Sequence, residues 1–263
     1  MRSAPAVAVL TGCLLLLGGC GGQGDDPLYV FAAASLEEAL TEIAAEFELR
    51  EGRPVALNFG GSNALAQQIR NGAPADVFVS ADVYWAEDLA RDHLLVASSY
   101  SEVLANRLVV VGHESSTWEM SDLGDLPALG FSHLSLGDPE AVPAGRYAKI
   151  LLEGVRLANG SDAWSAVRAS VVPAPDVRAA LALVREEPRA IGIVYATDYA
   201  TTEGVRLLFE VSDSMAPPIR YVAAAVAAST HPVAAARFLA YGRSEAAAAV
   251  YRRYGFVPLE GGG

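Results

Sequence analysis

Three short stretches, far apart in the chain, set small residues and free backbone amides where a helix begins: Ala32-Ala33-Ala34-Ser35-Leu36, Gly60-Gly61-Ser62-Asn63 and Pro143-Ala144-Gly145. Helix N-termini carry unpaired N–H groups and the positive end of the macrodipole, so such stretches can bind an anion without a positive side chain. In this chain an anion site has to be built that way. Asp and Glu number 31 against 19 Lys and Arg, the formal net charge is −12, and Lys149 is the one lysine. The same balance argues against nucleic acid as a partner, because neutralising phosphates requires a basic face.

Other chemistries find little support. The four histidines, His93, His113, His133 and His231, include no i, i+4 pair, and the chain has no His-Glu-x-x-His, Gly-x-Ser-x-Gly or Gly-x-x-x-x-Gly-Lys. Zinc hydrolase, serine hydrolase and phosphate-loop enzymes are therefore not suggested, and all four histidines read as surface residues. The expectation is a protein that is not an enzyme and has no cofactor. A hydrolase, or a sensory lipoprotein using the same scaffold, is the alternative of a different class.

The elements that must position these stretches begin after an address segment. Arg2 precedes an apolar run from Ala4 to Leu17, shorter than the roughly 20 residues that span a bilayer, and Leu17-Gly18-Gly19-Cys20 follows. Residues 1–19 read as a lipoprotein signal peptide, Cys20 as the lipidated mature N-terminus, and residues 20–27 as a flexible tether. An ordinary secretory signal or an uncleaved anchor is the alternative, and Leu10-Thr11-Gly12-Cys13 is a second, shorter match that would make Cys13 the lipidated residue. Both cysteines fall in this region, which leaves no disulfide, cysteine metal site or cysteine nucleophile for the folded part.

Beyond it the pattern predicts two α/β lobes. Leu28 to Ala32 reads as a buried strand. Ser35 to Arg50 reads as a helix with Leu36, Leu40, Ile43 and Phe47 on one face, opened by a capping box of Ser35 and Glu38. Val55–Phe59 and Asp76–Ser80 read as strands, with helices from Asn63 to Arg70 and from Val83 to Ala90. A second block opens near Arg107 with the strand Leu108–Val111. It continues with the strand Leu134–Gly137, helices over 145–157 and 177–185, and the strand Ile191–Tyr195. Tyr221–Ala227 reads as a further strand, and two C-terminal helices start near Pro232 and Ser244, the second ending with Gly255 at C′. Strands alternating with helices at this spacing predict mostly parallel sheets with every strand-to-helix turn on one edge.

Taken in order, Val30-Phe31-Ala32-Ala33-Ala34-Ser35-Leu36, Gly72-Ala73-Pro74-Ala75-Asp76, Gly137-Asp138-Pro139-Glu140 with Val142-Pro143-Ala144-Gly145, Asp176-Val177-Arg178, Gly192-Ile193-Val194-Tyr195 and Tyr254-Gly255-Phe256 resemble the periplasmic molybdate-binding proteins of bacterial ABC transporters. The resemblance runs from about Leu28 to Val257. It implies the two-lobed periplasmic-binding-protein-like fold, each lobe a mostly parallel sheet flanked by helices, with the ligand in the cleft between lobes. The lobes would be 28–106 plus 214–263, and 107–213. It also implies an extracytoplasmic protein that captures molybdate and tungstate and delivers them to an ABC permease; a monomer is expected, held at the membrane only by the lipid that the Cys20 motif predicts.

Carried over by motif, the molybdate ligands fall on the hydroxyls of Ser35 and Ser62, the backbone amides of Ala144 and Val177, and the phenol of Tyr195. Each position also has a purely structural reading: Ser35 as a helix cap, Gly60-Gly61 as a tight turn, Asp176 as the cap of the next helix, and Tyr195 as a core residue. The segment between Ala144 and Val177, with Asn159-Gly160-Ser161, is longer than the family pattern, and its extra residues are expected on the surface. Physically, molybdate is a tetrahedral dianion with acceptor oxygens only, so its pocket needs donors and no acceptor. Sulfate shares that character. Phosphate keeps a proton near neutrality and calls for a carboxylate, for which Asp138 and Glu140 are the nearest candidates in sequence.

Overall fold

The computed structural model describes residues 26–259; the signal segment 1–19, Cys13, Cys20 and all but the end of the tether lie outside the described residues. The chain first runs β1 (Leu28–Ala33), α1 (Glu37–Glu51), β2 (Val55–Gly60), α2 (Ser62–Arg70), β3 (Val77–Ser80), α3 (Val83–Arg91) and β4 (Ser101–Asn106). It then crosses to β5 (Leu108–His113), β6 (His133–Gly137), α4 (Pro143–Gly154), α5 (Ala163–Val167), β7 (Val171–Ala174), α6 (Val177–Glu186), β8 (Ala190–Tyr195), α7 (Ala196–Ala200) and β9 (Val205–Glu210). It returns through β10 (Ile219–Ala225), α8 (Pro232–Gly242), α9 (Glu245–Arg253) and β11 (Val257–Pro258). Among the described residues no helix is long and apolar enough to cross a membrane.

These strands form two sheets, ordered β11-β4-β10-β3-β1-β2 and β7-β6-β8-β5-β9. Both are mixed, which corrects the expectation of mostly parallel sheets. The parallel pairs are β1 with β2 and β3, and β6 with β7 and β8, all linked through helices. Strands that enter from the other sheet lie antiparallel: β10 against β3 and β4, and β5 against β8 and β9. Sequence periodicity reports helix-linked crossovers but not the direction of a strand arriving from elsewhere.

The two sheets share one plan. In each, the first helix-linked strand (β1 or β6) sits between the next two (β2 and β3, or β7 and β8), and a strand crossing from the other sheet (β10 or β5) lies beside the third. The turns after β1 and β2 are thus the topological equivalents of those after β6 and β7. All four lie at the carboxyl ends of parallel strands, where α/β sheets bind ligands.

Burial follows the strand pleat. Leu28 and Val30 pack with Leu40, Ile43 and Phe47 of α1, whereas Phe31 packs with Leu65, Ile69, Phe78 and Leu89 beneath α2 and α3. Helix α1 is also clamped by the C-terminal helices, with Phe47 edge-on to Phe238 at 5.1 Å between ring centres. The second C-terminal helix ends with Gly255 at φ +84°, a left-handed C′ position that glycine fills without strain.

Several boundaries differ from expectation. Helix α4 spans Pro143–Gly154 instead of 145–157, because Val155 turns extended and the chain folds back through an exposed Asn159-Gly160 turn, with a bridge from Arg156 to Asp162. Strands β4, β7 and β9 have no counterpart in the sequence pattern. Strand β7 contains Pro173 and occupies a sheet edge, where a missing N–H is tolerated. His231 is not a plain surface residue either. Its Nδ1 lies 3.2 Å from Asp76, a buried carboxylate that also accepts from Tyr29 N and Ser229 Oγ.

Candidate functional site

The four equivalent turns converge. Ser35 lies in the 3-10 turn Ala34–Leu36 that leads into α1, Ser62 opens α2, Ala144 is in the first turn of α4, and Val177 opens α6. With Tyr195 at the end of β8, all five line one cavity of about 10 Å³, on the scale of a single water. So small a space suits a compact inorganic ion better than a sugar, an amino acid or a peptide. Since the first N–H groups of a helix have no intrahelical acceptor, the amides of Ala144 and Val177 are available to whatever sits there.

Ser35 does not cap α1, contrary to the capping-box expectation. The intervening 3-10 turn shifts the start of the α-helix, so Leu36 becomes its N-cap, without a side-chain hydrogen bond. Ser35 Oγ instead meets Tyr221 OH at 2.8 Å, and Tyr221 OH accepts from Asn106 Nδ2 at 3.2 Å. Asn106 Oδ1 accepts from Arg107 N, which fixes the amide orientation. Tyr221 can donate to Ser35 Oγ while accepting from Asn106, an arrangement that leaves the serine proton for the cavity. Ser62 is arranged likewise: its Oγ accepts from Ala81 N at 3.0 Å, so its own proton is free. Both serines are buried.

Tyr195 gives the clearest sign of a ligand. It is 1% exposed, yet its hydroxyl has no hydrogen-bond partner among the described residues. A buried hydroxyl left unpaired costs about 1–3 kcal/mol, so such a group calls for an explanation. Here it lines the ion-sized cavity. Burial pushes its ionisation well above the ordinary tyrosine value, as it does for Tyr221, so both stay protonated donors at neutral pH.

No lysine, arginine or histidine lines the cavity among the described residues. The one carboxylate at its wall, Asp176, caps α6 by accepting from Ala179 N at 2.9 Å, as the structural reading of that residue expected. Asp138 and Glu140 do not reach the cavity. Asp138 Oδ1 accepts from Glu140 N, and Glu140 pairs with Lys149 at 2.6 Å. The wall therefore presents mainly donors, and Asp176 Oδ1 is held by the first turn of α6.

Sequence reasoning missed the residues behind this wall. Tyr221 and Asn106 carry no motif and come from distant strands. Asp198, three residues after Tyr195, is fully buried, and its Oδ1 lies 2.6 Å from Arg178 Nε, an ion pair poorly aligned for a hydrogen bond. Burial raises its pKa to about 7 against the opposing pull of Arg178, so a group that titrates near neutrality does lie behind the site.

Two sheets that present equivalent donor-bearing turns to a shared, ion-sized cavity, with the chain crossing between them, define a two-lobed solute-binding protein. The chain belongs to the bacterial extracellular solute-binding protein family, whose profile matches residues 28–257. Among its relatives, the molybdate-binding protein of Escherichia coli K12 is 35% identical over 232 residues, spanning 87% of this chain and 88% of that protein. Among solved structures, the periplasmic molybdate-binding protein of Azotobacter vinelandii superposes with a TM-score of 0.76 at 22% identity, covering 89% of this chain and 100% of that one. The sulfate-binding protein of Mycobacterium tuberculosis superposes with a TM-score of 0.77 at 17% identity, covering 89% and 87%. At those identities the superpositions establish the fold alone, and a sulfate binder shares it.

Proposed function

We propose that this protein captures molybdate, and tungstate through the same contacts, outside the cytoplasm and delivers it to an ABC permease. The observation that carries the reading is the buried, partnerless Tyr195 hydroxyl, at a cavity also lined by the Ser35 and Ser62 hydroxyls, first-turn amides and the Asp176 carboxylate that caps α6. Ser35, Ser62, Ala144 N, Val177 N and Tyr195 would each donate to an oxygen of the ion. A dianion that only accepts hydrogen bonds matches that set of donors. The likeness to a relative named for molybdate over most of the chain points the same way.

The site suits binding rather than turnover. Neither serine is hydrogen-bonded to a histidine or carboxylate that could take its proton, and the relatives are binding proteins. Closure of the two lobes on the ion would be a hinge motion through the crossing strands, with the anion stabilising the closed form by touching both. The Leu17-Gly18-Gly19-Cys20 motif supports attachment by lipid at Cys20, and Cys20→Ser should release the protein from membranes. Calorimetric titration with molybdate, tungstate, sulfate and phosphate tests the ligand. Tighter binding of the first two than of the others is expected; tighter binding of phosphate or sulfate would overturn the assignment.

A further inference from the structure

The cavity excludes cations, yet two arginines reach across the cleft at its rim. Arg178, next to Val177 on α6, holds Glu38 of α1 with both terminal nitrogens, Nη1 to Oε1 at 2.8 Å and Nη2 to Oε2. Its Nε faces Asp198, three residues beyond Tyr195. The chain Glu38–Arg178–Asp198 thus links the turns that carry Ser35, Val177 and Tyr195. Arg146, two residues beyond Ala144 on α4, pairs with Asp82 at 3.2 Å and lies 3.8 Å over the ring of Tyr84. Asp82 follows Ala81, whose amide holds Ser62. Beside this second link, Trp85 Nε1 donates to Ala141 O at 2.8 Å, again from one lobe to the other.

Each link has one half that survives opening. Arg178 keeps Asp198 within its own lobe, and Asp82 keeps Ser80 Oγ and Trp85 N within the other. Separating the lobes therefore strands neither buried carboxylate, and the ion pairs that opening breaks are Arg178 with Glu38 and Arg146 with Asp82. The arginines are tethered away from the cavity while supplying attraction only in the closed form. We propose that Glu38–Arg178 and Asp82–Arg146 are cleft latches, positioning residues that set how long the captured ion is held without touching it.

The inference rests on the cavity being the ligand site, and the experiment separates the two. Trp85 crosses the cleft, so intrinsic fluorescence follows closure. Stopped-flow mixing of the full chain with molybdate, and chasing of the bound ion with excess tungstate, give association and release rates. Glu38→Gln leaves Arg178 paired with Asp198, so the fold should persist. It should release the ion about three- to tenfold faster with an association rate within twofold of the parent, as expected for loss of a partly exposed ion pair. Glu38→Asp, which keeps the charge, should recover part of the residence time. The pair Glu38→Gln with Arg146→Gln should release faster than either alone. Unchanged release in Glu38→Gln would overturn the proposal, as would an equal fall in association, which marks general damage. If the parent binds no molybdate, the functional reading fails, and the latches are then tested by small-angle scattering of the ligand-free chain. A larger radius of gyration in the double variant supports them, and superimposable curves overturn them.

Discussion

Replacing Tyr195 by Phe separates a ligand from a core residue, because the two roles predict different outcomes in two measurements. The Tyr195 hydroxyl is buried and has no hydrogen-bond partner among the described residues. Its removal therefore breaks no hydrogen bond within the protein, and the melting temperature without ligand should stay within a few degrees of the parent. In the complex the same change deletes a hydrogen bond to a charged acceptor, worth about 1.5–3 kcal/mol, which corresponds to a roughly 10- to 150-fold higher Kd for molybdate. Burial keeps the phenol protonated, so the loss should be the same at pH 6 and pH 8. Scanning calorimetry and titration calorimetry on the same preparation read both quantities. A Tyr195→Phe protein that binds molybdate within threefold of the parent, or melts several degrees lower without ligand, would refute the reasoning.

Ser62→Ala should lower both affinity and stability, the latter by about 1–3 kcal/mol, because the buried Ala81 amide loses its acceptor; lower melting with unchanged Kd would confine the serine to a structural role. Gly61→Ala should weaken binding by obstructing closure, since a Cβ there would sit 2.5 Å from Pro175 O of the other lobe, and titration at the parent's affinity would show that the two backbones can part. Asp198→Asn should reduce the pH dependence of melting. The folded carboxyl, raised to about 7, holds a proton that the unfolded chain gives up near 4, so stability falls as pH rises from about 4 to 7. Arg178 and Glu38 face that carboxyl in parent and variant alike, and identical slopes between pH 4.5 and 7.5 in the two proteins would contradict the assignment.

What the sequence revealed and what it concealed divide along physical lines. Elements with strong periodicity or an uninterrupted apolar run, such as α6, β5 and β8, lie within a residue or two of where the pattern puts them. Edge strands such as β7 and β9 bury little and carry Pro173 or Arg206, so no pattern marks them. The mixed sheets stayed hidden because the direction of β5 and β10 depends on where the chain crosses between lobes. Within the site, anion-competent turns were legible since small residues before a helix are a local signal. The supports behind them, Tyr221 behind Ser35 and Ala81 behind Ser62, join residues 186 and 19 positions apart and leave no local trace. The Ser35–Glu38 spacing fits a capping box, yet a single 3-10 turn reassigns both residues, Ser35 toward the cavity and Glu38 toward Arg178.

The central claim is that a tetrahedral dianion is held here by neutral donors alone, and anomalous diffraction from crystals grown with tungstate tests it most directly. The account predicts one strong tungsten peak in the cavity, with oxygens in hydrogen-bond reach of Ser35 Oγ, Ser62 Oγ, Ala144 N, Val177 N and Tyr195 OH. Arg146 and Arg178 should remain on their carboxylates. A peak elsewhere, or an arginine or histidine side chain in contact with the ion, would contradict it.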